Sequence, residues 1–287
     1  MRYEAPETIE AAVALLSDAA GESRILAGGT DLVVQMKGGM IEPDLIVDIK
    51  RIGSLREISE EDGGFRIGAT VSCAELGEHK GVRSLWPGVV EAAELIGSTQ
   101  VQGRCTVVGN LCNASPAADS VPALIAADAK VRVAGPDGSR DVDAGEIATA
   151  PGKTSLAKGE FVESIYLPAR PARSRDAYLR FIPRTEMDIA VVGCGVSLTL
   201  DASGNCVAAR VALGAVAPTV IVVPEAAEAL VGTSVDEDAL TKMAAACSEA
   251  AKPIDDKRGT AEYRVHMAGV LARRAAVIAK KRAGGAA

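Results

Sequence analysis

Two short stretches combine glycine with small polar residues in a pattern suited to anion binding. The first is Leu26-Ala27-Gly28-Gly29-Thr30-Asp31-Leu32. The second starts at Thr106-Val107-Val108-Gly109-Asn110 and runs on to Asp119. Glycine admits positive φ and lets a backbone approach a ligand closely. Successive free N–H groups in such turns form anion-binding concavities. Gly28, Gly29, Thr30 and Asp31 can offer N–H groups, and Thr30 adds a hydroxyl. In the second stretch Thr106 brings a hydroxyl, Gly109 permits close approach, and Asn110 both donates and accepts. Asp119 is an acceptor suited to a ligand hydroxyl and not to a phosphate. Two such loops can grip one diphosphate from both sides. The same spacing also fits an ordinary strand-to-helix turn, and an acid at 119 suits the first turn of a helix. The residues alone leave these readings open.

Other chemistries find less support. Gly152-Lys153-Thr154 looks like the end of a P-loop, but the required upstream glycine is replaced by Ile147. No GxGxxG opens a helix after a first strand, so a Rossmann site is not indicated. His79 and His266 are too few and too isolated for a triad or a metal centre. The six cysteines (73, 105, 112, 194, 206 and 247) form no CxxC and read as reduced core residues.

The chain has 287 residues, 48% of them hydrophobic and 24% charged, enough apolar material for a large core or two domains. A net charge of −7 argues against a nucleic-acid backbone binder, and 3% aromatics against a base-stacking platform. No signal-peptide pattern or membrane-length apolar run is visible, which predicts a cytoplasmic protein, attached at the inner membrane surface at most through a complex.

Apolar and turn patterns then place the loops. Helical spacing predicts a helix over 6–16, and a strand over 24–27 running into the first loop. Thr30 is expected to cap a short helix ending at Lys37. Strands are expected over 45–49 and 65–69, and a helix over 87–96 leads toward the second loop. Pro116 is expected to open a helix whose apolar side carries Val121, Leu124 and Ile125. Pro136-Asp137-Gly138 signals a hairpin between 130–134 and 140–142, and 161–167 reads as a strand. The polar, basic segment 168–175 reads as a boundary, dividing the chain into 1–174 and 175–287. Beyond it three consecutive strands (177–182, 190–200 and 206–215) precede helices at 223–231, 236–251 and 259–282. Strands followed by helices indicate an α+β domain with an antiparallel sheet.

Two further segments stand in order with the loops: Tyr178-Leu179-Arg180-Phe181-Ile182-Pro183-Arg184 with Asp188-Ile189-Ala190-Val191-Val192, and Pro253-Ile254-Asp255-Asp256-Lys257-Arg258-Gly259-Thr260-Ala261-Glu262-Tyr263-Arg264. With them the chain resembles, over nearly its whole length, the FAD-binding medium subunit of the molybdenum hydroxylases, the family of aerobic carbon monoxide dehydrogenase and xanthine dehydrogenase. The resemblance implies an α+β fold: an N-terminal FAD-binding domain of two α/β subdomains, and a C-terminal domain of a small antiparallel sheet with a helix bundle. By matching positions it assigns FAD contacts to Leu26, Ala27, Gly28, Gly29, Thr30, Asp31, Leu32, Thr106, Gly109, Asn110, Asp119, Val162 and Arg180. Three positions depart from the family pattern. Val108 stands where the family usually has glycine, Val101-Gln102-Gly103-Arg104 replaces an Ile-Arg-Asn-type lead-in, and Arg180 stands where lysine is common. Arg184 and Asp188 are expected to pair, and Asp256, Arg258 and Tyr263 to organise domain packing or a subunit contact.

The resemblance further implies an electron-transfer subunit without its own catalytic acid or base. A molybdopterin-containing large subunit and a small subunit with two 2Fe–2S clusters are the expected partners, in a dimer of heterotrimers. Quinone, NAD and oxygen are all open as the final acceptor. The cysteine-bearing insertion of the benzoyl-coenzyme A reductase branch is absent, which favours the carbon monoxide dehydrogenase type. Two alternatives remain at this level: a non-redox adenine-nucleotide-binding assembly or regulatory module, and a stand-alone flavin oxidase.

Overall fold

The protein is described by a computed structural model, in which residues 1–284 can be described. The chain opens with β1 (Arg2–Glu4), α1 (Ile9–Asp18), β2 (Ser23–Leu26), α2 (Leu32–Lys37) and β3 (Leu45–Asp48). The three strands form a parallel sheet in the order β1-β3-β2. All four residues of the middle strand β3 are buried, as expected where a parallel strand is covered on both faces. The helix expected from Pro6 begins at Ile9, because the Thr8 hydroxyl accepts the Ala11 N–H at 3.2 Å and fixes the start there.

A second unit contains β4 (Ile58–Glu61), β5 (Gly64–Gly68), α3 (Cys73–Glu78), α4 (Lys80–Leu85), α5 (Pro87–Glu94), α6 (Thr99–Gln102), α7 (Val107–Cys112) and α8 (Ser120–Ala126). It continues with the hairpin β6 (Lys130–Gly135) and β7 (Gly138–Asp143), a small ribbon of β8 (Ala148–Ala150) and β9 (Lys153–Thr154), and β10 (Phe161–Leu167). The main sheet is antiparallel in the order β4-β5-β10-β6-β7. β10 is therefore central, and five of its seven residues are buried. The helix expected at Pro116 starts instead at Ser120, where the Asn110 side-chain oxygen accepts the Ser120 N–H (3.0 Å) and hydroxyl (2.7 Å). All seven residues of α8 are buried, so it has no solvent side.

The remaining strands β11 (Ser174–Phe181), β12 (Val192–Leu200), β13 (Cys206–Gly214) and β14 (Ile221–Val222) form an antiparallel meander. They are followed by α9 (Pro224–Glu228), α10 (Glu237–Ala250) and α11 (Ala261–Ala283). An apolar cluster including Val196, Leu198, Leu213, Met243 and Leu271 joins this sheet to α10 and α11. A separate cluster fills the first two units.

The basic segment at 168–175 is less open than its composition suggests. Arg170 is buried with its guanidinium 3.8 Å from the centre of the Trp86 ring. It pairs with Asp176 at 2.8 Å and donates to Leu85 O and Ser197 Oγ. Asp176 in turn accepts the Val89 N–H at the start of α5. A buried ion of this kind is tolerable only when its hydrogen-bonding groups are matched.

Candidate functional site

The two loops identified in the sequence face one cleft of about 580 Å³. Its walls include Ala27, Gly28, Gly29, Thr30, Asp31 and Leu32 from the β2–α2 turn, and Thr106, Val108, Gly109 and Asn110 from the start of α7. Val162 on β10 also lines it.

The loops meet backbone to backbone. A β-carbon on Gly28 would lie 2.1 Å from Arg104 O and 2.9 Å from Cys105 Cα, so only glycine lets the two segments touch there. Gly29 has a different reason: its φ is +75°, in the left-handed region. None of the described residues accepts the N–H groups of Gly28, Gly29, Thr30, Asp31 and Leu32 on one side, or of Val107 and Val108 on the other. Unpartnered N–H groups brought together around a glycine turn are the donors an anionic ligand requires.

The second loop is a helix start. Thr106 is the N-cap of α7, its hydroxyl oxygen accepting the Gly109 N–H at 2.8 Å. Val108 therefore has ordinary helical backbone, and the family's glycine can be replaced here without strain. Thr30 does not cap α2: the N-cap is Asp31, which makes no side-chain capping bond. The Thr30 hydroxyl is thus left without a partner among the described residues. The Asn110 oxygen is taken by Ser120, so the group it turns to a ligand is the amide NH₂. Burial pushes the Asp31 carboxyl above the usual range.

Three of the expected contacts do not line this cleft. Leu26 ends β2, and its side chain packs beneath Gly29. Asp119 and Arg180 are joined to each other: Arg180 Nη1 donates to Asp119 Oδ2 at 2.7 Å, and Tyr178 Oη donates to Oδ1 at 3.1 Å. Both side chains are nearly enclosed. Burial raises the Asp119 carboxyl to about 6, against the opposing pull of Arg180 and Tyr178. The pair connects to the cleft through Ser120 and Asn110, while Arg180 also borders an apolar groove between β11 and α11.

The two C-terminal signatures come together as well. Asp188 accepts from Arg184 (3.3 Å) and from Arg258 (3.1 Å), and Arg264 pairs with Asp256 at 2.7 Å. Tyr263 packs edge-on to Phe181.

Sequence reasoning missed the third wall of the cleft, Gly152, Thr154 and the turn 156–160 leading into β10. Lys158 in that turn makes no ion pair among the described residues and brings a cation to the rim. The available signal was the polar run Pro151-Gly152-Lys153-Thr154, set aside as a false P-loop. A further missed contact ties the loops together: Gln35 donates to the Asn113 side-chain oxygen at 3.1 Å.

Comparison with known proteins supports the same fold and family. Residues 1–170 match the family model described as the FAD binding domain in molybdopterin dehydrogenase. Residues 177–278 match the carbon monoxide dehydrogenase flavoprotein C-terminal domain. The chain is 35% identical to the carbon monoxide dehydrogenase medium chain of Afipia carboxidovorans, covering 98% of this chain and 97% of that protein. It is 30% identical to a putative xanthine dehydrogenase FAD-binding subunit of Escherichia coli, covering 99% and 97%. The crystal structure of the Cu,Mo-CO dehydrogenase in its cyanide-inactivated form superposes with a TM-score of 0.94 at 35% identity, over 98% of both chains. Quinoline 2-oxidoreductase from Pseudomonas putida 86 gives 0.91 at 26% identity, over 99% and 98%. With its glycine-lined cleft, its fold and both halves of its sequence in agreement, the chain belongs to the FAD-binding medium subunits of the molybdenum hydroxylases.

Proposed function

We propose that this subunit holds the FAD diphosphate between the β2–α2 turn and the start of α7, and relays electrons from the 2Fe–2S clusters of a small partner subunit to an external acceptor. The carrying observation is the set of seven unpartnered N–H groups, from Gly28 to Leu32 and at Val107 and Val108, around one glycine-lined cleft. A volume near 580 Å³ is of the size that takes a cofactor. The residues present thus fit FAD, which when bound supplies the redox chemistry.

The chain's own groups bind, orient and exclude water. The N–H groups neutralise the diphosphate without a basic cluster, in keeping with the acidic chain. Thr30 and Thr106 hydroxyls and the Asn110 amide add directed donors. Val162 supplies an apolar surface. Asp119 and Arg180 stand behind the cleft as a matched pair and support Asn110 through the neighbouring Ser120. The division of labour is residues 1–174 for FAD binding and 175–287 as the C-terminal flavoprotein domain. The implied assembly is a dimer of heterotrimers with a molybdopterin-containing large subunit. None of the helices among the described residues is long and apolar enough to cross a membrane.

The test is an absorption spectrum of the purified chain, with released cofactor identified by mass, followed by reduction within the assembled complex. Stoichiometric FAD that bleaches with the complex's substrate, and is reoxidised by quinone, NAD or oxygen, is the expected result. A chain that takes up no FAD alone or beside its partners overturns the reading.

A further inference from the structure

Two of the six cysteines meet where the flavin cleft is assembled. Cys73 is the first residue of α3, and Cys105 directly precedes the Thr106 cap of α7. They are 32 residues apart in the chain, yet the Cys73 N–H donates to Cys105 O at 2.8 Å. Standard bond lengths across that link hold the two α-carbons roughly 5–6.5 Å apart, inside the ~4.4–6.8 Å span that a disulfide bridges. The two thiols face one another closely enough to influence each other's ionisation, Cys73 being pushed up and Cys105 down by the neighbouring sulfur. Both residues are free thiols and nearly enclosed in protein, and Cys105 lines the cleft. Cys112 also lines the cleft, but burial pushes its thiol up to about 12 and no second cysteine is paired with it.

We propose that Cys73 and Cys105 are a peroxide-oxidisable dithiol that closes to a reversible disulfide at the root of the second flavin loop. The co-reactant is hydrogen peroxide, a molecule small enough to enter the cleft. The Cys105 thiolate attacks one peroxide oxygen; the O–O bond breaks and hydroxide leaves, taking up the thiol proton as water. The resulting sulfenic acid at Cys105 is attacked by the Cys73 sulfur, forming the S–S bond and expelling a second water. Two thiols are oxidised by two electrons in all, and one peroxide is reduced to two waters. A disulfide of this kind in a reducing compartment is transient and serves as a sensor. Here it would tie α3 covalently to the residue before the α7 cap. In the FAD reading of the cleft, on which this last point rests, bound cofactor stands between peroxide and Cys105.

The experiment treats the full chain with hydrogen peroxide, with and without saturating FAD, blocks remaining thiols and maps peptides by mass. The expected product without FAD is one cross-linked peptide pair containing Cys73 and Cys105, lighter by two hydrogens and restored by dithiothreitol. Cys73→Ser and Cys105→Ser each abolish it, and Cys112→Ser does not. With FAD bound, formation slows about tenfold, since oxidation follows exposure of the attacking thiolate. Two results overturn the proposal: Cys105 passing to sulfinic acid with no cross-link, or both thiols surviving peroxide that oxidises free cysteine. A cross-link that forms at the same rate in a chain shown to take up no FAD upholds the dithiol and counts against the flavin cleft, so the two failures are distinct.

Discussion

Replacing Gly28 with alanine inserts one methyl group where two backbones touch. The new β-carbon would sit 2.1 Å from Arg104 O, and ordinary contact begins at 3.4 Å, so the loops must part by about 1.3 Å. The clashing atoms at 104 and 105 are main chain, and no rotamer change relieves them. Overpacking of this kind costs about 1–3 kcal/mol. If the fold absorbs the strain, Tm falls by roughly 2–10 °C at the sensitivity expected for a chain of this size. If the loops open instead, the cost appears at the cradle, because the Gly28–Leu32 and Val107–Val108 N–H groups no longer converge. The same energy then weakens FAD binding by roughly 5- to 150-fold. Calorimetry or flavin fluorescence titration, paired with thermal unfolding, separates the two. Gly53→Ala is the control: it meets nothing within 4 Å and should change neither quantity. A Gly28→Ala chain with parental FAD affinity and parental Tm would refute the loop–loop packing argument.

Four other outcomes follow from the same geometry. Gly29→Val places a β-branched residue at φ +75° and should abolish FAD retention while the chain stays folded; stoichiometric FAD in that variant removes the diphosphate assignment. Arg180→Met strands the buried Asp119 carboxylate and should cost about 3–5 kcal/mol of stability, read by denaturant unfolding, with Arg180→Lys recovering part of it. Asp119 also sets a pH dependence. Its folded value near 6 lies above the unfolded one, so the folded chain holds the proton more tightly. The stability it contributes is greatest in acid and is lost as pH rises from about 4 through 6; Asp119→Asn should flatten that part of the stability–pH profile, and an unaltered profile would reject the assignment. Arg170→Ala leaves Asp176 buried without its partner and removes the stack on Trp86, so unfolding should occur about 3–5 kcal/mol earlier, with flavin content unchanged in the material that remains folded.

Much of the cleft was legible because its logic is local. The β2–α2 turn is announced by Gly28-Gly29-Thr30, and the β6–β7 hairpin by Pro136-Asp137-Gly138. The C-terminal meander shows its strands in chain order. What the sequence concealed depends on distant partners. The second loop proved to be a helix start because burial of Val107, Val108 and Leu111 outweighs the weak helix propensity of Val-Val-Gly-Asn. Asp119 and Arg180 read as independent ligand contacts, and their pairing across 61 positions is visible only in three dimensions. Arg170, in a segment that looks like a solvated linker, is buried by a tryptophan 84 positions earlier. Lys158 reaches the cleft because it leads into β10, the centre of a sheet that β10 joins between β6 and the far-upstream β5.

The backbone contact between Gly28 and the Arg104–Cys105 peptide also bears on the order in which the molecule is made. The cradle has no local version: its walls come from segments near residues 28, 106 and 158. Closing loops of that length costs conformational entropy before any contact rewards it. A nascent chain that has not yet delivered β10 therefore has no cofactor seat, however well its first parallel sheet has formed. Once all three walls are present, FAD held as proposed would fasten three stretches of chain at once. At a hundredfold excess over its Kd it would add about 2.7 kcal/mol to the stability of the folded chain. On that placement the cofactor would be the last fastener of the fold as well as its working part.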